Sequence, residues 1–410
     1  MIPTDGMRVL LVTPNLDVGG AQETVRSLAK YFPRLGCPTM VCTLADGPLR
    51  AEIESLGIEV AVVPGRRSSV LTPWSFLGEL LRIRRDLVQL AQHHRADVVL
   101  QTQTYPALNL LVLSLGRSGR HRMQAWWTIQ NTVFIVDREK IAEHAWSLGP
   151  KRLVHRAMFR LGSRAVTGVV AVSDETADAF RAMGGDSGRT HVVCNAVDVE
   201  RYPARVDRAA VRAMLGLEAT DHVMTMVGTF KRQKGHRHLV EALATVAAGL
   251  PRLHLVLAGD GELRRSIEAQ VDANGLRDRV HFLGTRRDVP ELLAASDSFV
   301  LPSLWEGLPL ALVEAMASGL PVIATAVSGT TQVMTDGLTG WVVPPGDSAA
   351  LARAMHEVLD DPVEASARGA MARERAQRFT AAAQAEELER LFAAAGSRRR
   401  VDPRVLEGVR

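Results

Sequence analysis

The chain has 410 residues, 47% of them hydrophobic, and a formal net charge of +4. This length and apolar content predict two or three globular domains and argue against intrinsic disorder. The charge excess lies in residues 1–200, which hold 23 Lys and Arg against 19 Asp and Glu. That asymmetry favours an anionic partner for the first half, although so small a surplus also arises by chance. No nucleic-acid partner is expected.

Cysteine usage and the N-terminal segment bear on the compartment. Cys37, Cys42 and Cys194 form neither a CxxC pair nor an even framework, which is typical of reduced cytosolic thiols rather than of metal ligands. The start, MIPTDGMRVLLVTPNL, lacks a basic region followed by a long apolar core, and the other apolar windows are short or interrupted. We therefore expect no metal, no transmembrane helix and a cytoplasmic location.

Short apolar runs alternate with helical patterns along the first half of the chain. Helices are predicted from about Ala21 and near 77–94. This alternation predicts a parallel sheet with helices on both faces. The predicted strands are RVLLVT, TMVCTL, IEVAVV, DVVL, QAWWTI and GVVAVS.

The pattern pauses at NAVDVERYPARVDRAA, so a domain boundary is predicted near Tyr202. A second series follows, with the strands HVMTMVG, LHLVLAG, RVHFLG, SFVLP and LPVIAT. The predicted fold is α/β, with two doubly wound Rossmann-like domains that face a central cleft at the carboxyl ends of their strands. The predicted domains are 1–202 and 203–379, followed by a helix over 380–395 that packs back toward the first domain and a tail over 396–410.

The stretch LPSLWEGLPLALVEAMASGLP, residues 301–321, carries the sharpest candidate site. Glu306 lies in a Gly/Pro loop, Pro309 is predicted in the first turn of a helix, and Glu314 lies on that helix. Gly307 allows close approach of the backbone to a ligand. A helix N-terminus beside two carboxylates suits a diphosphate attached to a sugar. A buried helix with a capped start accounts for the pattern about equally well.

A second candidate lies in TFKRQKGHRHL, at the end of a predicted strand and before a helix. Lys231, Arg232 and Lys234 lie between Gly228 and Gly235, where a diphosphate would bind in a doubly wound domain. A solvated basic loop is the alternative interpretation.

The first predicted strand ends in DVGGAQETV, where Gly19 and Gly20 precede a helix. Glycines here permit approach to a phosphate or a sugar, but a strand-to-helix turn often needs glycine anyway. Neither this turn nor AGDGELRRS completes a dinucleotide fingerprint, because Thr24 and Arg264 stand where the last glycine would be. This weakens the case for an NAD enzyme.

Residues 151–164 contain no acid, and four arginines recur every fourth residue, at positions 152, 156, 160 and 164. The apolar face is predicted to consist of Leu153, Val154, Ala157, Met158 and Leu161. Such a helix either lies on an anionic membrane surface or packs its apolar face into a core and leaves the arginines in water.

Taken together, these stretches resemble the family 4 glycosyltransferases, which are retaining, nucleotide-sugar-dependent enzymes of the GT-B fold. The resemblance covers Met7 to about Ala395, and its most specific element is the pair Glu306 and Glu314 at Glu-x7-Glu spacing. It is carried by VTPNLDVGGAQ, AVSDETADAF, NAVDVERY, VGTFKRQKGH, LAGDGELR, HFLGTRRDVPELLAASDSFVLPSLWEGLPLALVEAMASGLPVIAT and GWVVPPGD.

The resemblance implies a role for each matching residue. Glu306 would position the hydroxyls of the donor sugar, Glu314 the nucleotide ribose and Lys234 the departing diphosphate, with Gly20 approaching it from the first domain. The catalytic candidates are Lys234 and Glu306. The donor-binding candidates are Gly20, Gly228, Thr229, Lys231, Lys234, Glu306, Gly307, Leu308 and Glu314, and the acceptor-side candidates are Gly19, Gln22 and Gln130. No metal or cofactor is implied.

Two positions depart from the family pattern. Thr229 stands where many relatives have Arg, so Lys231 or Arg232 must supply a second charge if one is needed. Gln130 stands where many have His, and a glutamine can hydrogen-bond a sugar but cannot shuttle a proton.

The predicted activity is transfer of a sugar from a UDP- or GDP-sugar to a glycan or lipid-linked acceptor of the cell surface, at the inner membrane face. A nucleotide-sugar 2-epimerase-like isomerase and a non-catalytic sugar-nucleotide-binding subunit remain alternatives.

Overall fold

The computed structural model describes residues 6–64, 73–103, 123–130, 156–157, 159–202 and 204–400. The chain forms two compact units, the first comprising Met1–Asn195 and Ala381–Arg410, the second Ala196–Thr380. The boundary predicted near Tyr202 therefore lies inside the second unit. The reason is a contact distant in sequence, since Val197 pairs with Thr380 and its N–H donates to Phe379 O at 3.0 Å.

The first unit contains a seven-stranded parallel sheet of order β3-β2-β1-β4-β5-β6-β7. Most of its strand residues are buried, which explains their continuous apolar runs. The strands are β1 (Val9–Thr13), β2 (Thr39–Thr43), β3 (Glu59–Val62), β4 (Val98–Gln101), β5 (Gln124–Ile129), β6 (Gly168–Ala171) and β7 (Thr190–Val192). The helices include α1 (Gly20–Tyr31), α2 (Leu49–Ser55), α3 (Pro73–His93) and α4 (Asp174–Ala182).

The second unit contains a six-stranded parallel sheet of order β10-β9-β8-β11-β12-β13. Its strands are β8 (His222–Val227), β9 (Leu253–Ala258), β10 (Val280–Gly284), β11 (Ser298–Leu301), β12 (Val322–Thr325) and β13 (Trp341–Val343). Its helices are α5 (Arg208–Met214), α6 (His236–Val246), α7 (Arg264–Ala273), α8 (Val289–Ala295), α9 (Leu310–Ala317), α10 (Thr330–Val333), α11 (Ser348–Asp360) and α12 (Pro362–Ala376).

Both sheets have the doubly wound order, so the predicted fold class is confirmed for each unit. In the second unit the order reverses between β8 and β11. Ligands of open α/β sheets bind at such a reversal, outside the carboxyl ends of the strands. A ligand-binding site is therefore expected in the loops that follow β8 and β11. The arrangement of the two units around a cleft stays a prediction.

The last helix, α13 (Ala381–Arg400), completes a core of the first unit. Its Phe392 ring packs against Trp126 and Phe32, with centroid distances of 5.1 Å and 6.4 Å. Gln124 Nε2 also donates to Phe392 O at 2.9 Å. The helix continues five residues past Ala395, where the sequence pattern places its end; residues 401–410 lie outside the described residues.

The basic stretch at 151–164 is described only in part, as helical residues 156–157 and 159–165. Phe159 is buried edge-on against Phe180, at 5.0 Å between centroids, and Gly162 lies under the Trp127 ring. These contacts leave Ala157 exposed and Leu161 69% exposed. Ala157 and Leu161 of the predicted apolar face are therefore not packed into the core, because Phe159 and Gly162 direct another face inward. Arg156, Arg160 and Arg164 are exposed, while Lys151, Arg152, Leu153, Val154 and Met158 lie outside the described residues.

Within the described ranges, none of the helices combines the length and the hydropathy that a membrane span requires.

Candidate functional site

The loops after β8 and β11 bring Lys234 and Glu306 together. Lys234 Nζ donates to Glu306 Oε1 at 2.5 Å, although 72 residues separate them in the sequence. Because β8 and β11 are neighbouring parallel strands, their following loops emerge at the same edge of the sheet. The two predicted catalytic residues thus meet at the reversal of strand order.

Glu306 is held in one orientation by neighbours from both loops. Its side chain is buried, and Oε1 also accepts a hydrogen bond from Ser303 Oγ at 2.6 Å. Gln233 Nε2 donates to Glu306 Oε2 at 3.1 Å and to Trp305 O at 3.0 Å. These bonds satisfy the buried carboxylate and lock the turn that carries it. Sequence reasoning missed Gln233, which lies inside the basic loop.

Gly235 makes the close approach of the two loops possible. Gly235 has a φ of 68°, and a Cβ there would lie 1.9 Å from Pro302 O. Gly228 faces the aliphatic part of Lys234, whose Cδ would be 3.4 Å from a Cβ at that position. A larger residue at position 235 would push the loops apart, so this glycine is required by packing as well as by its positive φ.

Two stacked aromatic rings flank the loop that carries Lys231, Arg232 and Lys234. The rings of Phe230 and His236 lie 4.2 Å apart between centroids at an interplanar angle of 22°. Burial, reinforced by the nearby Lys234 charge, lowers the pKa of His236 to about 4. The imidazole is therefore neutral at pH 7 and acts as a flat packing surface beneath the loop. Nothing in the sequence pattern singled out this histidine.

The other donor-side candidates differ in exposure. Thr229, Lys231 and Arg232 are exposed; Gly307 and Leu308 are buried; Glu314 is partly buried on α9. Pro309 is the N-cap of α9, with φ −77° and ψ 107°, so its prediction within the first helical turn is wrong. Its extended ψ lets the chain enter the helix from the Glu306 turn, and no side chain caps the helix start.

In the first unit, the acceptor-side candidates Gly19 and Gln22 and the donor-binding candidate Gly20 follow the carboxyl end of β1. Gly19 is the extended N-cap of α1, and Gly20 is its exposed first residue. Gln22 Nε2 donates to Asn15 Oδ1 at 2.5 Å. A Cβ on Gly19 would lie 2.8 Å from Gln22 Oε1, so a side chain there would displace the end of the Gln22 side chain.

Gln130 follows β5 and is hydrogen-bonded at both ends of its amide. Its Nε2 donates to Thr102 O at 2.9 Å, and its Oε1 accepts from Asn195 Nδ2 at 2.7 Å. A cavity of about 10 Å³, room for one water molecule, lies beside it and is also lined by Asn195 and Gln384. Sequence reasoning missed Asn195, although it lies in the quoted motif NAVDVERY.

Across the described part of the chain, no group of three or more His, Cys, Asp and Glu side chains is arranged to hold a metal ion.

Two adjoining family models match the chain. "Glycosyltransferase Family 4" matches residues 18–201, and "Glycosyl transferases group 1" matches residues 207–384. These ranges follow the two structural units closely, apart from the returning helix α13.

Relatives of known name support the same assignment. A UDP-Gal:alpha-D-GlcNAc-diphosphoundecaprenol alpha-1,3-galactosyltransferase of Escherichia coli is 32% identical over 218 residues, or 52% of this chain and 56% of that protein. The chain spans about half the length of the first curated relatives it matches. A D-inositol 3-phosphate glycosyltransferase of Corynebacterium urealyticum is 25% identical over 92% of this chain and 91% of that protein.

The solved structures agree in fold. Anabaena Alr3699/HepE in complex with UDP-glucose superposes with a TM-score of 0.80 at 24% identity, covering 95% of this chain and all of that one. With both family models matched in sequence order and the doubly wound topology in each unit, this chain belongs to the family 4 glycosyltransferases of the GT-B fold.

Proposed function

We propose that the protein is a retaining, metal-independent glycosyltransferase that moves a sugar from a UDP- or GDP-sugar to a glycan or lipid-linked acceptor in cell-surface polysaccharide or glycolipid synthesis. The observation that carries this proposal is the Lys234–Glu306 pair at the reversal of strand order in the second unit. A buried carboxylate and an ammonium at this edge suit a ligand with both sugar hydroxyls and a diphosphate.

Lys234 acts on the leaving group in this mechanism. Negative charge grows on the diphosphate as the bond to the sugar breaks, and a cation fixed beforehand stabilises that charge. An ammonium has three N–H donors, so its bond to Glu306 leaves donors for a phosphate oxygen. The start of α9 adds N–H groups with no side-chain cap.

Glu306 has two tasks in this proposal. It holds Lys234 in place, and it accepts a hydrogen bond from a hydroxyl of the donor sugar. Three of about four acceptor positions on its carboxylate are already used by Lys234, Ser303 and Gln233. A sugar hydroxyl takes the remaining position, while Glu314 contacts the ribose.

The acceptor side provides hydrogen bonds and no proton shuttle. Gln130 cannot remove a proton from the acceptor, and both ends of its amide are engaged. The acceptor attacks from the leaving-group face, and its proton passes to the diphosphate oxygen. Retention at the anomeric carbon follows from this geometry of attack.

We also propose that the first unit contacts an anionic membrane surface. Leu161 is 69% exposed and lies among the exposed Arg156, Arg160 and Arg164. An exposed leucine within a basic helical face suits the interface of an anionic bilayer. The diphosphoundecaprenol in the name of the Escherichia coli relative supports a lipid-linked acceptor, met at the inner membrane face.

Membrane contact is tested by flotation with anionic and neutral vesicles at low and high salt. We expect binding to anionic vesicles at low salt, lost in the double variant Arg160→Glu and Arg164→Glu. Arg252→Glu, an exposed charge reversal in the second unit, serves as the control. Equal flotation of the double variant and this control would refute the proposed surface.

The donor is tested first by thermal shift with UDP, GDP and their sugars, because a ligand stabilises the fold in proportion to the logarithm of its excess over Kd. Transfer to lipid-linked and glycan acceptors is then measured with and without EDTA. An epimerised nucleotide sugar formed without acceptor would indicate an isomerase. Tight binding with neither transfer nor hydrolysis would indicate a non-catalytic subunit, and no nucleotide binding would contradict the proposal.

A further inference from the structure

The loop after β12 packs against the turn that carries Glu306. Thr325 Oγ1, at the end of β12, donates to Ser303 O at 2.5 Å. Gly329 has a φ of 64°, and a Cβ there would lie 2.3 Å from Gly307 O and 2.7 Å from Leu308 Cα. A third segment of the second unit thus supports the Glu306 turn, beside the two that supply Lys234 and Glu306.

Two polar side-chain atoms without hydrogen-bond partners lie in the loop that makes this contact. Thr330 Oγ1 and Ser328 Oγ flank Gly329, and both are buried without a hydrogen bond. Trp305 Nε1, adjacent to Glu306 in the sequence, is also buried without a hydrogen-bond partner. The Thr330 side chain is only 1% exposed. Burial of an unpaired hydroxyl costs stability, and such groups are expected where a fold serves a ligand.

We propose that residues 328–330 form a third segment of the nucleotide-sugar site, and that the Thr330 hydroxyl donates to a diphosphate oxygen of the bound donor. This inference rests on the proposed function. Gly307 and Leu308, which this loop touches, connect Glu306 to the start of α9, where the diphosphate is proposed to bind. The hydroxyl is screened from water in the unliganded protein, so the proposed contact requires the Thr330 side chain to turn toward the diphosphate when the donor binds.

Gly329 is a positioning residue in this proposal. Its backbone conformation and the contact with Gly307 leave no room for a side chain, so it sets the position of the Glu306 turn. Ser328 provides the second unpaired hydroxyl, on the other side of the same glycine.

The test compares Thr330→Val with Thr331→Val, its exposed neighbour. Valine keeps the shape of threonine and removes the unpaired hydroxyl, so the unliganded Thr330→Val protein should have an equal or higher Tm. Its Kd for UDP or GDP should rise roughly fivefold to tenfold, the loss of one hydrogen bond, while Kd for the free nucleoside stays unchanged. Thr331→Val should change neither the Tm nor the Kd for UDP or GDP.

A second pair of variants tests the positioning role. Gly329→Ala and Gly337→Ala both place alanine at a positive φ, but nothing lies within 4 Å of a Cβ at Gly337. We expect Gly329→Ala to raise the donor KM and the nucleoside diphosphate Kd, and Gly337→Ala to lower Tm alone.

The outcomes separate the two proposals. If the wild type binds no nucleoside diphosphate, the proposed function and this inference both fail. If it binds but Thr330→Val keeps the wild-type Kd, or lowers Tm by losing a partner within the fold, only the inference is overturned.

Discussion

The two units share one topology but prepare their candidate sites by different interactions. In the second unit, an ion pair of 2.5 Å joins two loops at the reversal of strand order, and Gly235 lets those loops touch. In the first unit, the corresponding edge carries neutral amides, with Gln130 fixed between Thr102 and Asn195. The same scaffold therefore presents an ion pair in one unit and neutral amides in the other, which suits the roles proposed for them toward a leaving group and an acceptor.

The units also differ in how they are completed. The first unit is completed by α13, which follows the whole second unit in the sequence. Phe392 of this helix packs against both Trp126 and Phe32. The second unit is built from one continuous segment. Loss of α13 contacts should therefore separate the stabilities of the two units.

The largest effect is expected from Phe392→Ala. Truncation of a buried phenylalanine typically costs about 3 to 5 kcal/mol, and this ring lies in the first unit's core. Denaturant unfolding should show destabilisation of the first unit, with UDP-dependent stabilisation of the second retained. Glu387→Ala, exposed on the same helix, serves as the control. Equal loss of stability in both units would contradict the independence of the second.

The second-largest effect is expected from removal of Lys234, the cation proposed to stabilise the leaving group in the second unit. Loss of one positioned donor for a developing charge typically costs about 3 to 4 kcal/mol, so Lys234→Ala should slow transfer roughly a hundred- to thousand-fold. Arg265→Ala, an exposed cation elsewhere in the second unit, should cost much less. Single-turnover rates with saturating donor are the measurement. Near wild-type turnover by folded Lys234→Ala would remove this residue from the mechanism.

Acid should weaken the second unit through His236. Its folded pKa of about 4 lies below the unfolded value of 6.5, so the unfolded state binds the proton first as pH falls. Stability is fully present above pH 6.5 and falls toward pH 4 by about 3 kcal/mol at most, at 1.36 kcal/mol per pKa unit.

The His236→Phe variant isolates this effect, because it keeps a ring for Phe230 to stack on and removes the titration. Burial also lowers the pKa of other histidines, and both proteins share these: His94, His222, His254 and His281. Denaturant unfolding at several pH values should therefore show a shallower acid loss for the variant. Identical pH profiles would mean that His236 does not titrate as described.

The smallest effect concerns Asn195, on the acceptor side. Asn195→Ala removes the donor to Gln130 Oε1, and one hydrogen bond is worth about 1 kcal/mol, so the acceptor KM should rise roughly fivefold. The donor KM should stay constant, because donor-side contacts are unchanged. Asn274→Ala, exposed in the second unit, is the control. A change confined to the donor KM would show that the two sides are not separate.

Much of the candidate site could be anticipated from local patterns. Apolar runs alternating with helical periodicity predict parallel sheets, and in such sheets the loops after the strands share one edge. Lys234 and Glu306 were predicted on that basis and on the family motifs, and the structure brings them within one hydrogen bond. The basic stretch shows the limit of periodicity, since Phe159, rather than Leu161, is buried.

The sequence by itself determined the fold class, eleven of the thirteen described strands and the loops that carry the charged candidates, because these depend on periodicities over a few residues; it missed the short strands β7 and β13. Only the tertiary structure decided which loops touch, that Gln233 orients Glu306, that Asn195 fixes Gln130, and that Phe392 of the last helix packs against Trp126. Those contacts join residues tens to hundreds of positions apart. They depend on packing among whole elements, which no local pattern encodes.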